Sequence, residues 1–106
     1  MELLDDKMRV WLDSARFAKP SPGVYVLYNQ SKEPIYIGET DNLEKTFTRY
    51  VDDEFEKNQC KQRTRFYQRE ITENPQKRKQ ELIDTFKANM GRLPPCNSEV
   101  QIETQV

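Results

Sequence analysis

The chain contains no histidine. That single absence removes a Ser-His-Asp triad, histidine-ligated zinc and an imidazole general base. Acid–base chemistry therefore falls to Tyr, Lys, Glu or Asp. Cysteine is nearly as scarce: Cys60 and Cys96 stand far apart with no Cys-x-x-Cys pairing. Such spacing argues against a structural zinc site or a disulfide scaffold and predicts buried or idle thiols. No apolar run approaches the roughly 20 residues of a membrane helix. The opening Met-Glu-Leu-Leu-Asp-Asp lacks the basic start and apolar stretch of a signal peptide. These absences predict a cytoplasmic protein with no membrane partner. Internal repeats and low-complexity tracts are missing as well.

What is present is small and polar. A chain of 106 residues makes one domain with one core. With 35% hydrophobic and 33% charged residues, that core must be thin, and five Tyr, five Phe and Trp11 supply much of its area. The net charge of −1 hides an asymmetry. Between Glu39 and Lys57 seven acids face three bases; between Lys61 and Gln80 seven bases face only Glu70 and Glu73. A basic block interleaved with Phe66 and Tyr67 suits a phosphate backbone. It equally suits a solvated face neutralised by the acidic block.

Periodicity sets the order of elements. Leu4, Met8, Trp11 and Ala15 form one stripe of a 3.6-residue repeat, which predicts a helix over 2–17. Pro20 and Pro22 end it. From Gly23 the period becomes two through Val24, Val26 and Tyr28. A short loop, "NQSKEP", leads to a second strand at 35–38, so the pair must be an antiparallel hairpin. With its tip at 29–32, Tyr28 faces Glu33 and Tyr25 faces Tyr36, and both phenols share one face. A slip of one residue would separate them. Thr40-Asp41-Asn42 caps a helix whose stripe is Leu43, Phe47, Tyr50 and Val51. Residues 64–71 read as a third strand. Asn74-Pro75 opens a last helix to about Asn89, burying Leu82, Ile83 and Phe86, and Gly91 breaks it. The expected fold is α/β (α+β): a small three-stranded antiparallel sheet flanked by helices. An N-terminal helix over 1–19 packs on a domain spanning 20–97, followed by a polar tail, 98–106.

Two tyrosine triplets carry the functional signal. Gly23-Val24-Tyr25 and Tyr36-Ile37-Gly38 are separated by ten residues. They are followed by "ETDNL" and closed by "LPPCN". Together they resemble the GIY-YIG nuclease superfamily, whose members include excinuclease N-terminal domains and homing endonucleases, over about Pro22 to Asn97. The resemblance implies metal-dependent hydrolysis of DNA phosphodiesters. In that family a hairpin tyrosine is thought to take a proton from the attacking water, a helix arginine steadies the phosphate and a glutamate holds Mg2+ or Mn2+. Such chemistry needs an activated nucleophile, neutralised phosphate oxygens and a cation. By position the resemblance assigns Tyr25 and Tyr36 to the motif tyrosines, Tyr50 to a further helix tyrosine and Asn97 to the asparagine that ends the domain. It assigns Glu81 to the metal, with Glu70 and Glu73 as alternatives. Each also has a plain structural reading: cross-strand aromatics, a core tyrosine, a solvated helix acid and a turn asparagine.

Two positions depart from the family. Its arginine falls on Thr46, and the residue after the second triplet, a lysine in some members, is Glu39. Arg49, one turn from Thr46 on the same helix face, is the expected substitute, and Lys45 is turned about 100° away. Two functions follow as expectations. One is an endonuclease that uses Arg49. The other is a catalytically weakened module that binds nucleic acid or a protein partner through Lys61, Arg63, Arg65 and Arg69. DNA is the expected partner, with specificity supplied by another chain.

Overall fold

The computed structural model describes residues 2–97; the expected tail, 98–106, lies outside them. Its sheet is built on β2 (Gly23–Tyr28), which is buried at all six positions. The reason is topological. The strand order is β1-β4-β2-β3, all antiparallel, so β2 has a neighbour on each side and a helical layer over each face. Val24, Val26 and Tyr28 pack with Leu82 and Phe86 of α3 (Pro75–Met90). Tyr25 and Leu27 pack with Phe47 and Tyr50 of α2 (Leu43–Asp52) and with Trp11. A strand covered on both faces needs apolar residues throughout, and GVYVLY supplies them.

The hairpin keeps the expected face by a different register. Asn29 and Glu33 close the turn, with Lys32 left-handed at φ 62°, so Tyr28 pairs with Pro34 rather than Glu33. Ile35 is then bulged, and Leu27 pairs with Tyr36 while Tyr25 pairs with Gly38. Turn and bulge each displace the pairing by one residue. Two displacements restore the parity that one would destroy. Tyr25 and Tyr36 are therefore diagonal neighbours on one face, not direct partners, with ring centroids 6.1 Å apart.

The two long helices follow their termini. Asn42 caps α2 by accepting the Lys45 N–H at 3.0 Å. Pro75 stands at the first turn of α3, and Gly91 ends it at φ 71°, where its N–H donates to Lys87 O at 2.8 Å. After α2, Glu54–Lys57 take four successive positive φ values between 47° and 61°. That costly left-handed turn places the Phe55 ring 4.9 Å from Trp11 and 5.1 Å from Tyr50.

The expected N-terminal helix is replaced by a strap. Residues 2–8 are non-helical, β1 (Arg9–Val10) adds a fourth strand beside β4 (Phe66–Ile71), and α1 is a single turn, Trp11–Ser14. The helical stripe misled because its members bury on opposite sides of the sheet. Leu4 joins the α3 layer, and Trp11 and Ala15 join the α2 layer. Backbone groups in the strap are satisfied by the buried Gln68. Its Oε1 accepts from Leu4 N at 3.2 Å, and its Nε2 donates to Leu4 O at 3.1 Å and Asp6 O at 2.6 Å. The expectation of idle thiols is also overturned: Cys60 and Cys96 form a disulfide, their Cα atoms 5.6 Å apart. Sequence spacing gave no sign of this because the fold, not the chain, brings them together.

Gln68→Leu strands the strap's polar groups. Denaturant unfolding should show a loss of about 3 kcal/mol, with hydrogen exchange rising at residues 3–8 and unchanged in α2.

Candidate active site

The glycines of the two triplets make room. A Cβ on Gly38 would lie 2.5 Å from the Tyr25 hydroxyl, because that ring crosses the glycine on the neighbouring strand. A Cβ on Gly23 would lie 2.5 Å from Glu70 O on β4 and 2.9 Å from Leu43 Cδ1 on α2. Glycine at these positions lets β2, β3, β4 and α2 approach around one tyrosine. Tyr25 is thereby buried, 2% exposed, and its hydroxyl lies 2.7 Å from that of Tyr50.

A lysine enters this cluster. Lys61, at the start of a 3-10 turn (Lys61–Arg63), is 7% exposed; its Nζ donates to Tyr50 Oη at 3.2 Å and sits 4.1 Å from the Tyr36 ring centroid. The turn is fixed by Asn58 Oδ1 on the Lys61 N–H at 3.0 Å and by Thr64 Oγ1 on its carbonyl at 2.7 Å. Sequence alone groups Lys61 with the surface bases; its burial removes it from that group. Arg63 and Arg65 remain exposed and line a hollow with Asn29, Gln30 and Ser31, and Arg69 is half-buried, paired in register with Tyr25.

Electrostatics distinguish the phenols. Burial, and then the neighbouring Tyr50 and Tyr36, push Tyr25 well above an ordinary phenol. Burial raises Tyr36 above an ordinary phenol as well, and the Lys61 ammonium offsets only part of that rise. Desolvation lowers Lys61, and the facing Tyr50 and Tyr36 more than reverse that, so it stays cationic. Tyr25 is thus a fixed neutral phenol, and Tyr36 is the half-buried one.

Tyr36 also borders a cleft of about 360 Å³ between β3 (Pro34–Thr40) and α3, with Lys79, Gln80, Asp84, Lys87 and Asn97 among its walls. Asn97 lies along the edge of β3: its Oδ1 accepts Ile37 N at 2.9 Å and its Nδ2 donates to Ile37 O at 3.0 Å. Glu81 does not line this cleft. One residue on a helix is a turn of about 100°, and Glu81 instead meets Arg78 at 3.3 Å, as Glu70 does at 2.7 Å. The acid on the cleft is Asp84, whose Oδ1 accepts from Gln80 Nε2 at 2.8 Å. Gln80, Asp84 and Lys87 share the i, i+4, i+7 spacing of one helix face, a signal available in the sequence. Nothing in the sequence marks Lys61 as buried. Glu73 lines a separate hollow with Glu39 and Asp41.

The expected substitute cation is also elsewhere. Arg49 pairs with Glu56 at 3.3 Å and shares an open hollow with Lys45 and Asp52. Thr46 is buried, its hydroxyl 2.7 Å from that of Thr40. No basic side chain of α2 lines the cleft.

Gly38→Ala should force the Tyr25 ring to move and break its contact with Tyr50. Overpacking of this kind costs about 1–3 kcal/mol, read as a lower Tm with displaced Tyr25 ring signals in NMR spectra.

Comparisons with known proteins bear on the family and the fold. The family model described as the GIY-YIG catalytic domain matches residues 21–92. Among solved structures, the chain is similar to the GIY-YIG N-terminal endonuclease domain of UvrC from Thermotoga maritima bound to its catalytic divalent cation, magnesium. The TM-score is 0.62 at 21% identity, covering 81% of this chain and 93% of that one. A point mutant of the same domain, also bound to its catalytic divalent cation, gives 0.61 at 18% identity, covering 81% and 92%. No curated protein matches in sequence at a significant level. Two glycine–tyrosine triplets on adjacent strands, a mixed α/β fold that superposes on that endonuclease domain and a family match over most of its length lead to one conclusion: the chain belongs to the GIY-YIG family.

Proposed function

We propose that this domain hydrolyses DNA phosphodiester bonds in the cleft between β3 and α3. The observation that carries the reading is the position of Tyr36, half-buried between the Tyr25–Tyr50–Lys61 cluster and a cleft holding Asp84 and Asn97. In this reading Tyr36 takes the proton of the attacking water, and Tyr25 and Tyr50 hold its ring on the packed face. Lys79 and Lys87 meet the phosphate oxygens. Asn97 keeps β3 straight at the cleft edge.

The donor set suits a hard divalent cation. Mg2+ needs only one or two carboxylates and completes its shell with water and phosphate, and Asp84 is such a carboxylate on the cleft wall, oriented by Gln80. Glu81, which the family resemblance selects, reaches the cleft only by leaving Arg78. When bound, Mg2+ or Mn2+ would supply charge neutralisation at the phosphate. The exposed Arg63 and Arg65 are proposed to hold the DNA backbone, and specificity to come from a partner chain. A cytoplasmic location remains our expectation, with the Cys60–Cys96 disulfide the observation that bears against it.

A second reading is favoured by the buried Thr46–Thr40 pair, which leaves α2 without the family's cation. In it the domain binds DNA and does not cut. Nicking of supercoiled plasmid with Mg2+ or Mn2+ separates the two. The first reading expects slow nicking that Tyr36→Phe and Asp84→Asn each reduce about 100-fold, while Glu81→Gln keeps most of it. Nicking that survives both cleft variants would overturn the site. Binding without nicking would establish the second reading. In either case charge reversal at Arg63 and Arg65 should weaken DNA binding by about tenfold or more and flatten its salt dependence.

A further inference from the structure

We propose that Lys61 is the positioning cation of the tyrosine cluster, its ammonium lying against Tyr36 and Tyr50 and replacing, from a different element, the positive charge that Thr46 and Glu39 do not carry. This rests on the reading of Tyr36 as the reacting phenol.

A lysine this buried requires an explanation, since lysine is almost never fully buried unless paired. Among the described residues no carboxylate forms an ion pair with Lys61. Its compensation is aromatic: one hydroxyl at 3.2 Å and the ring faces of Tyr36 at 4.1 Å and Tyr50 at 5.2 Å. Such a site is poor for a structural residue, because methionine would fill it without the desolvation cost. It is a good site for a group whose charge is needed. A cation there stabilises a phenolate more than a phenol, and so eases removal of the Tyr36 proton.

The surroundings keep the ammonium in place. Cys60 directly precedes Lys61 and Cys96 directly precedes Asn97, so the disulfide joins the lysine turn to the segment bound along β3. Facing Tyr36 are Lys61, Tyr50 of α2, Tyr25 of β2 and Glu39 of its own strand, with Asp84, Lys79 and Lys87 across the cleft. Facing Lys61 are Tyr36, Tyr50 and, from the left-handed turn, Glu56. Lys61 is the buried cation among these groups.

The test follows the Tyr36 ring carbon Cζ by NMR against pH, assigned by its loss in Tyr36→Phe, in wild type, Lys61→Met and Lys61→Arg. Removing the charge should raise the Tyr36 ionisation by about one pH unit or more, and Lys61→Arg should leave it near wild type. If nicking is observed, its pH–rate profile should move to higher pH in Lys61→Met alone. An unmoved Tyr36 titration in folded Lys61→Met overturns the proposal, whether or not the chain cuts DNA. An unmoved pH–rate profile does so as well. To keep the test independent of how that variant folds, Lys61 Cε is also measured in the wild-type protein. A ring-shifted signal that changes as Tyr36 ionises supports the contact, and a signal at the position of exposed lysines refutes it.

Discussion

The structure depends on one close approach, the Tyr25 ring lying across the bare Cα of Gly38. Any side chain there would lift the ring from β3. With the glycine in place, the phenol reaches Tyr50 and joins α2 to the hairpin. Phe47 and Trp11 then pack edge-on around it, with Tyr25–Phe47 centroids 5.2 Å apart and Trp11–Phe47 centroids 5.1 Å apart. The motif that suggests a nuclease is thus also the packing rule of one core layer. Its glycines are spatial requirements before they are chemical ones.

The proposed chemistry lies at the edge of that layer. Tyr25 and Tyr50 are buried within it. Tyr36 stands one strand further out and faces both ways, toward the aromatic layer and toward the α3 cleft. The chain brackets it from two distant places. Lys61 arrives after α2 and Asn97 after α3, and the residues before each are joined by the disulfide. At the helix position where the family resemblance implies an arginine there is a buried threonine pair, and a lysine enters the tyrosine cluster from a turn.

Much of this was legible in the sequence, for identifiable reasons. The hairpin face survived a wrong register because two single-residue displacements cancel in a period of two. Both long helices were marked by local chemistry, Asn42 and Pro75 at their starts and Gly91 at the end of the second. The strap was not legible, because Leu4 and Trp11 serve different layers and a periodicity count cannot know that a sheet lies between them. Lys61 and the disulfide were hidden for the same reason: both depend on chain segments meeting late in the fold. Glu81, the acid the resemblance selects, pairs with Arg78, while Asp84, three residues on, lines the cleft, a distinction that depends on which helix face meets β3.

The central claim is that the chemistry belongs to the cleft between β3 and α3. Paramagnetic broadening of amide signals by Mn2+, with a short DNA duplex present, tests that most directly. The account predicts that broadening centres on Tyr36, Asp84 and Asn97. Broadening confined to the hollow of Glu39, Asp41 and Glu73, with Tyr36 and Asp84 untouched, would contradict it.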